Sequence, residues 1–132
     1  MPWSEGPNLG FSTGTPWLPA AAEHAGLSVA AQDPDPGSML NLARELIALR
    51  KASPALSTGG QDMLETPDPV LGFVRREGGE AIACLFNMGA EDMAFPWDGP
   101  KLGDFLFGLE WAETHGGTMR MGGYAVAFIK LA

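Results

Sequence analysis

Between Asp33 and Leu56 the apolar residues of this chain recur with the period of a helix, and beyond Pro54 they recur with the period of strands. Asp35 followed by Pro36 reads as a helix start: a carboxylate able to accept orphan backbone N–H groups, then a residue whose fixed φ suits the first helical position. Met39, Leu42, Ala43, Leu46, Ile47 and Leu49 fall at three-four spacing, while Asn41, Arg44, Glu45 and Arg50 take the other side. Arg50 and Lys51 suit the negative end of the helix dipole, and Pro54 cannot continue the hydrogen-bond ladder. The pattern predicts a helix over about residues 36 to 52 with one face built for burial.

After that helix, turn residues arrive about every ten positions. Val70 to Arg76 reads as a strand turned back by Glu77-Gly78-Gly79-Glu80, and Ala81 to Phe86 is apolar throughout, as in a central strand covered on both sides. Met93 to Phe95, a stretch around Phe105 to Leu109, Thr118 to Met121 and Tyr124 to Leu131 complete about six or seven short strands, which predicts an antiparallel β-sandwich. In the last of these, the alternation predicts Tyr124, Val126 and Phe128 in the core, with the smaller Ala125 and Ala127 on the opposite face beside Ile129.

Residues 1 to 34 show neither period and are punctuated by Pro2, Gly6, Pro7, Gly10, Gly14, Pro16 and Pro19. Yet they carry Trp3, Leu9, Phe11, Trp17, Leu18, Leu27 and Val29, too apolar a set for a disordered tail. Such side chains need a surface to lie on.

Several of these runs, taken together and in order, carry a resemblance. They are Met1-Pro2-Trp3, Asn8-Leu9-Gly10-Phe11-Ser12, Pro16-Trp17-Leu18-Pro19, Ser28-Val29-Ala30-Ala31-Gln32, and Arg44 to Lys51 with Pro54-Ala55-Leu56. The chain resembles the carboxyl-terminal part of bacterial α-glucosidases of the α-amylase superfamily, glycoside hydrolase family 13. The resemblance implies a loop and last helix from a (β/α)8 barrel over residues 1 to 56, then a carboxyl-terminal β-sandwich over residues 57 to 132. It also implies a neighbour: in the family the Met-x-Trp segment follows an Arg-Thr-Pro and the barrel strands that present the catalytic Asp, Glu and Asp. Those positions are not in this sequence, so the expectation is a fragment that braces the missing barrel and is inactive alone.

The 132 residues can form one cored domain, whereas a (β/α)8 barrel takes about 250. A net charge of −8, with only 8 Lys and Arg, disfavours nucleic acid, which calls for a basic stripe. No window approaches the length of a membrane span, and no basic segment leads into an apolar one at the start, so a cytoplasmic chain is expected unless a signal peptide is encoded upstream. Cys84 is the single cysteine and lies in an apolar run, as a small buried hydrophobe would.

Retaining hydrolysis of a glycosidic bond needs two carboxyl groups about 5 to 5.5 Å apart on rigid elements. Asp33 and Asp35, Glu65 and Asp68, and Glu91 and Asp92 all sit beside prolines or in turns, so no catalytic residue is expected. His24 and His115 lack partners at metal-ligand spacing, and neither metal nor cofactor is expected. Trp3 and Phe11 are the candidate substrate contacts, because an aromatic face stacks on the C–H face of a pyranose and the resemblance puts their loop at the barrel's rim. Trp97 and Trp111 fit better as covers of the sandwich edge. Two functions are compatible with these residues: the tail of an α-glucosidase acting on oligosaccharides, or a stand-alone, non-catalytic carbohydrate-binding β-sandwich.

Overall fold

The computed structural model describes residues 1–19, 24 and 26–132; residues 20–23 and 25, within the irregular run expected over 1 to 34, lie outside the described residues. The chain forms two compact units, Met1–Leu49 and Arg50–Ala132.

In the first unit, α1 (Val29–Gln32) leads by a turn into α2 (Met39–Ala52), whose last residues belong to the second unit. The expected start of α2 at Asp35-Pro36 is corrected: the Asp35 carboxylate accepts from the N–H of Gly37 at 2.9 Å in a turn, and Ser38 is the cap, its Oγ accepting from the N–H of Asn41 at 3.3 Å. Gly37 separates the two signals, and a hydroxyl placed three residues before Asn41 reaches a free N–H that Asp35 cannot. Pro54 ends α2 as expected, but it also opens α3 (Pro54–Thr58), for which it is the first residue.

The second unit is an antiparallel sandwich, as the strand spacing predicts. A five-stranded sheet runs β1 (Gly60–Met63), β2 (Val70–Glu77), β3 (Glu80–Asn87), β8 (Val126–Leu131), β5 (Leu102–Leu109), and a three-stranded sheet runs β4 (Met93–Pro96), β7 (Thr118–Met121), β6 (Ala112–His115). Gly78-Gly79 and Gly116-Gly117 make the β2–β3 and β6–β7 turns with positive φ at all four positions, the twist two-residue hairpins require. The core between the sheets holds Val70, Leu85, Phe95, Met119, Met121, Ala127 and Ile129. β1 and β6 were not legible in the sequence, because both are edge strands with almost no buried side chain and hence no apolar alternation.

The facing of β8 is the reverse of the sequence expectation. Ala125, Ala127 and Ile129 are fully buried between the sheets, Tyr124 is 65% exposed at a φ of 58°, and Val126 and Phe128 point to the outer side. The small residues face inward because Met119, Met121 and Phe95 of the opposite sheet already fill the space there. Phe128 instead joins an aromatic row on the outer face, with ring centroids 5.8 Å from Phe86 and 5.5 Å from Phe107.

The amino-terminal end of α3 is fastened to the sandwich by one carboxylate. Glu80, the first residue of β3, accepts from the Ser53 hydroxyl at 2.7 Å and from the N–H of Ala55 at 2.9 Å, while Ser53 Oγ accepts from the N–H of Leu56. The Ser53 hydrogen bond, then the Ala55 N–H and lastly the charge of Lys130 hold the Glu80 carboxyl below its ordinary pKa, against a smaller opposing effect of burial. A depressed folded-state pKa contributes stability that is present above the unfolded carboxylate's value and is lost as pH falls through the folded one. The urea midpoint of the native sequence should therefore drop more on acidification below pH about 4.5 than that of Glu80→Gln. Equal drops would show that the acid sensitivity lies elsewhere. Among the described residues, no helix is long and apolar enough to cross a membrane.

Candidate functional site

The aromatic loop of the first unit owes its shape to three consecutive left-handed residues. Asn8, Leu9 and Gly10 have φ of 53°, 55° and 69° at the end of a short 3-10 turn, which sends the chain back so that the N–H groups of Trp3 and Ser4 both donate to the carbonyl of Leu9, at 2.8 and 3.1 Å. Asparagine is one of the few side chains that tolerates this conformation, and here its amide also donates to the carbonyls of Ser12 at 3.0 Å and Gly14 at 2.8 Å. The loop is thus closed on its amino-terminal side through the Leu9 carbonyl and on its carboxyl-terminal side through the Asn8 amide.

A second set of bonds holds the loop to the start of α1. The N–H groups of Val29 and Ala30 donate to the carbonyls of Pro2 and Trp3, at 3.0 and 3.1 Å, and the buried Ser28 caps α1 through Ala31. Gln32 and Asn41 then bind the α1–α2 turn: the Gln32 side chain accepts from the N–H of Leu40 and donates to the carbonyl of Leu27, while the Asn41 amide donates to the carbonyls of Gln32, Asp33 and Asp35. Their role was missed in the sequence, where only the polar side of the helix was assigned to Asn41; an amide beside a turn rich in free carbonyls is the signal that could have found it.

This framework leaves a concave, mainly apolar surface. A cavity of about 240 Å3 is lined by Met1, Pro2, Asn8, Leu9, Phe11, Pro16, Leu18 and His24, and a neighbouring one of about 300 Å3 by Ser4, Glu5, Leu9, His24, Gly26 and Ser28. Of the two candidate substrate contacts, Phe11 lines the first cavity and is 70% exposed, whereas Trp3 stands outside both linings at 49% exposure. The geometry can offer an aromatic face, an amide and an imidazole to a polyol, with one carboxylate, Glu5, nearby.

Several of the other acids are engaged in structure. Asp33 pairs with Arg44, Asp35 closes its turn, and Asp92 accepts from the N–H of Gly123 at 3.2 Å. Glu65 and Asp68 lie on the exposed loop before β2. Among the described residues, no group of three or more His, Cys, Asp or Glu is placed to hold a metal ion. Trp97 packs against the core and donates Nε1–H to the carbonyl of Pro100 at 2.9 Å. Trp111 lies under the Arg120 guanidinium, 5.8 Å from its ring centroid, and against Gly122. Burial pushes the Cys84 thiol up to about 11, against a smaller lowering by Arg75, so it stays a protonated, unreactive hydrophobe at neutral pH.

Comparison with known proteins gives this geometry a context. Residues 1–59 match the family described as "Alpha amylase, catalytic domain". The chain is 46% identical over 91 residues to a probable alpha-glucosidase of Rhizobium meliloti (strain 1021), a match that takes in 69% of this chain and 16% of that protein. It is 36% identical over 98 residues to a probable oligo-1,6-glucosidase 2 of Bacillus subtilis (strain 168), covering 74% of this chain and 18% of the relative. Among solved structures, an alpha-glucosyl transfer enzyme, XgtA, superposes on 100% of this chain and 25% of its own length with a TM-score of 0.89 at 32% identity. The trehalulose synthase MutB from Pseudomonas mesoacidophila MX-45 covers 99% of this chain, over 24% of its own length, with a TM-score of 0.86 at 26% identity. The chain thus spans under a fifth of the curated relatives named and about a quarter of the solved ones.

Proposed function

Because this chain carries a segment of the α-amylase family's catalytic domain and is homologous to bacterial α-glucosidases and oligo-1,6-glucosidases, we propose that it works as the carboxyl-terminal part of an enzyme hydrolysing α-glucosidic bonds in oligosaccharides. In this reading the chain braces a (β/α)8 barrel in the cytoplasm and supplies no catalytic residue. The observation that carries it is the state of α2. None of its 14 residues is buried, and Met39 and Ile47 on its apolar stripe are 70% and 53% exposed. A helix of that length is marginal in water without a packing partner, and a barrel is the partner that the last barrel helix of this family has.

The barrel would bring the nucleophile and the acid, which need a fixed separation that the turn-bound acids of this chain do not provide. Phe11, and Trp3 beside it, would stand at the rim, where Phe11 stacks on a sugar ring of the bound oligosaccharide. The test is a chimera in which this chain replaces the matching segment of the Rhizobium meliloti relative. The chimera is expected to hydrolyse p-nitrophenyl α-glucoside and the chain alone to leave it intact. In the chimera, Phe11→Ala should raise KM about 2- to 10-fold with kcat little changed, the signature of lost uniform binding. Turnover by the chain alone, lost on changing one of its acids, would overturn the proposal. Retention of the chain on an immobilised oligosaccharide, with an inactive chimera, would favour the stand-alone binding module instead.

A further inference from the structure

The three-stranded sheet carries an aromatic residue that neither the core nor the aromatic loop uses. Where β6 pairs with β7, Ala112 and Met121 face the core, which puts their neighbours Trp111, Glu113, Arg120 and Gly122 on the outer side. These four fall in two rows: Trp111 opposite Gly122, then Glu113 opposite Arg120 with Ala94 of β4 beyond it. Trp111 is held from both sides. Glu110, which carries the chain from β5 into β6, has a left-handed φ of 54°, and the carbonyl of Trp111 accepts from the N–H of Gly122 at 2.9 Å. A non-glycine residue takes that φ only at a cost, so the corner is a fixed bend and not a free joint. The indole then lies across Gly122: a Cβ there would come within 2.7 Å of its Nε1 and 2.9 Å of its Cδ1, so the missing side chain is what admits the ring. Trp97 gives its indole to the core, whereas Trp111 stays outside it and 40% exposed.

The neighbouring row supplies polar groups at fixed places. The Arg120 guanidinium is 5.8 Å from the indole centroid, near the outer limit of a cation–π contact, and it leaves the ring partly open. Its Nη1 donates to Glu113 Oε1 at 2.9 Å, and both side chains are 53% exposed. Successive rows on one face of a sheet lie about 7 Å apart, so a sugar ring stacked on Trp111 brings its hydroxyls to the Arg120–Glu113 pair. The pair sets a fork of donors beside carboxylate acceptors with its two charges cancelled, which suits a neutral polyol. An anionic ligand would instead meet Glu113 and a chain of net charge −8.

We propose that Trp111, Arg120 and Glu113 form a carbohydrate-binding site on the outer face of the three-stranded sheet. It takes a glucosyl unit of an α-linked glucan, with the indole on the C–H face of the ring and the ion pair hydrogen-bonded to its hydroxyls. The choice of an α-glucan rests on the function proposed above; the platform and its polar neighbours rest on the geometry alone. Every group in the site belongs to the sandwich, so binding there needs neither Phe11 nor a barrel.

The test is affinity electrophoresis of the 132-residue chain in native gels containing soluble starch or dextran, with the Tm of each variant measured alongside. The native sequence is expected to be retarded by at least one of the two glucans, and Trp111→Ala to weaken that binding about 10-fold or more. Gly122→Ala keeps the indole but displaces it from β7, and should weaken binding as well. Arg120→Met should weaken it about 10-fold with little change in Tm, because an exposed ion pair contributes little to stability. A chain that runs alike with and without either glucan overturns the site, and a chimera with the Rhizobium meliloti relative that is active all the same leaves the proposed function standing. Retardation that survives Trp111→Ala and Arg120→Met but is lost with Phe11→Ala places sugar binding in the aromatic loop and overturns the site too. If Trp111→Ala lowers the Tm and Arg120→Met leaves the retardation whole, the indole only covers Gly122, and the proposal fails. Retardation lost with Trp111→Ala and with Arg120→Met, beside an inactive unsubstituted chimera, keeps the site and removes the function.

Discussion

Ile129→Asp is expected to remove the cooperative unfolding transition of the sandwich altogether. Ile129 is fully buried on β8, a strand hydrogen-bonded on both sides, by β3 and β5, and its side chain lies in the cluster with Leu85, Met119 and Met121. A carboxylate there has no partner, so it either unfolds the region or takes up a proton at a cost of several kcal/mol, and the lost packing adds a further few. Domains of this size have about 5 to 15 kcal/mol to lose, and most of it goes with this one change. Lys130→Gln, at the next position and on the exposed side, should leave the urea midpoint almost where it was. A sharp transition retained by Ile129→Asp would mean that the sheets do not close on β8 as described.

The second large effect belongs to Asn87, a buried polar residue that ties the β3–β4 and β7–β8 loops together. At 2% exposure, its amide donates to the carbonyls of Glu91 and Gly122, both at 2.8 Å, and its Oδ1 accepts from the N–H of Gly89 at 3.0 Å. Asn87→Ala leaves those groups without their partner and should cost about 2 to 4 kcal/mol. Asn87→Asp is the more telling variant, since it keeps the shape but turns a donor toward two carbonyls into a negative charge. Its folded-state pKa should rise above the unfolded value, so below the unfolded value the variant is a neutral acid that still donates to one of the two carbonyls, and it loses further stability as pH climbs above that value. A urea midpoint for Asn87→Asp that falls between pH about 4 and 7, while that of the native sequence does not, would bear this out. Parallel behaviour of the two would place the loop-tying role elsewhere.

The elements that sequence made legible are those with a strong local signal. α2 carries a stripe and a proline stop; β2 and β3 flank a Gly-Gly turn; β7 carries two large apolar residues at period two. What was missed had signals too short or too weak. α3 is five residues long and begins at the proline read only as a terminator, and β1 and β6 lie at sheet edges, where water replaces the pattern that burial imposes. At the candidate site, the aromatic character of Trp3 and Phe11 was visible, but the cavity that takes in Phe11 and leaves Trp3 outside depends on left-handed backbone at Asn8 and Leu9. For Leu9 no local rule foretells that conformation.

That one amphipathic helix is followed by a series of short strands was set by side-chain period and turn chemistry, because these act within a few residues along the chain. Which way β8 faces was not. Alternating residues of Tyr124 to Ile129 are apolar on both sides, so the strand could satisfy either facing locally, and the choice was made by the volume left between Leu85 on one side and Met119 and Met121 on the other. The same packing turned Phe128 outward to join Phe86 and Phe73. The apolar face of the five-stranded sheet is therefore a product of tertiary structure and not of any single segment.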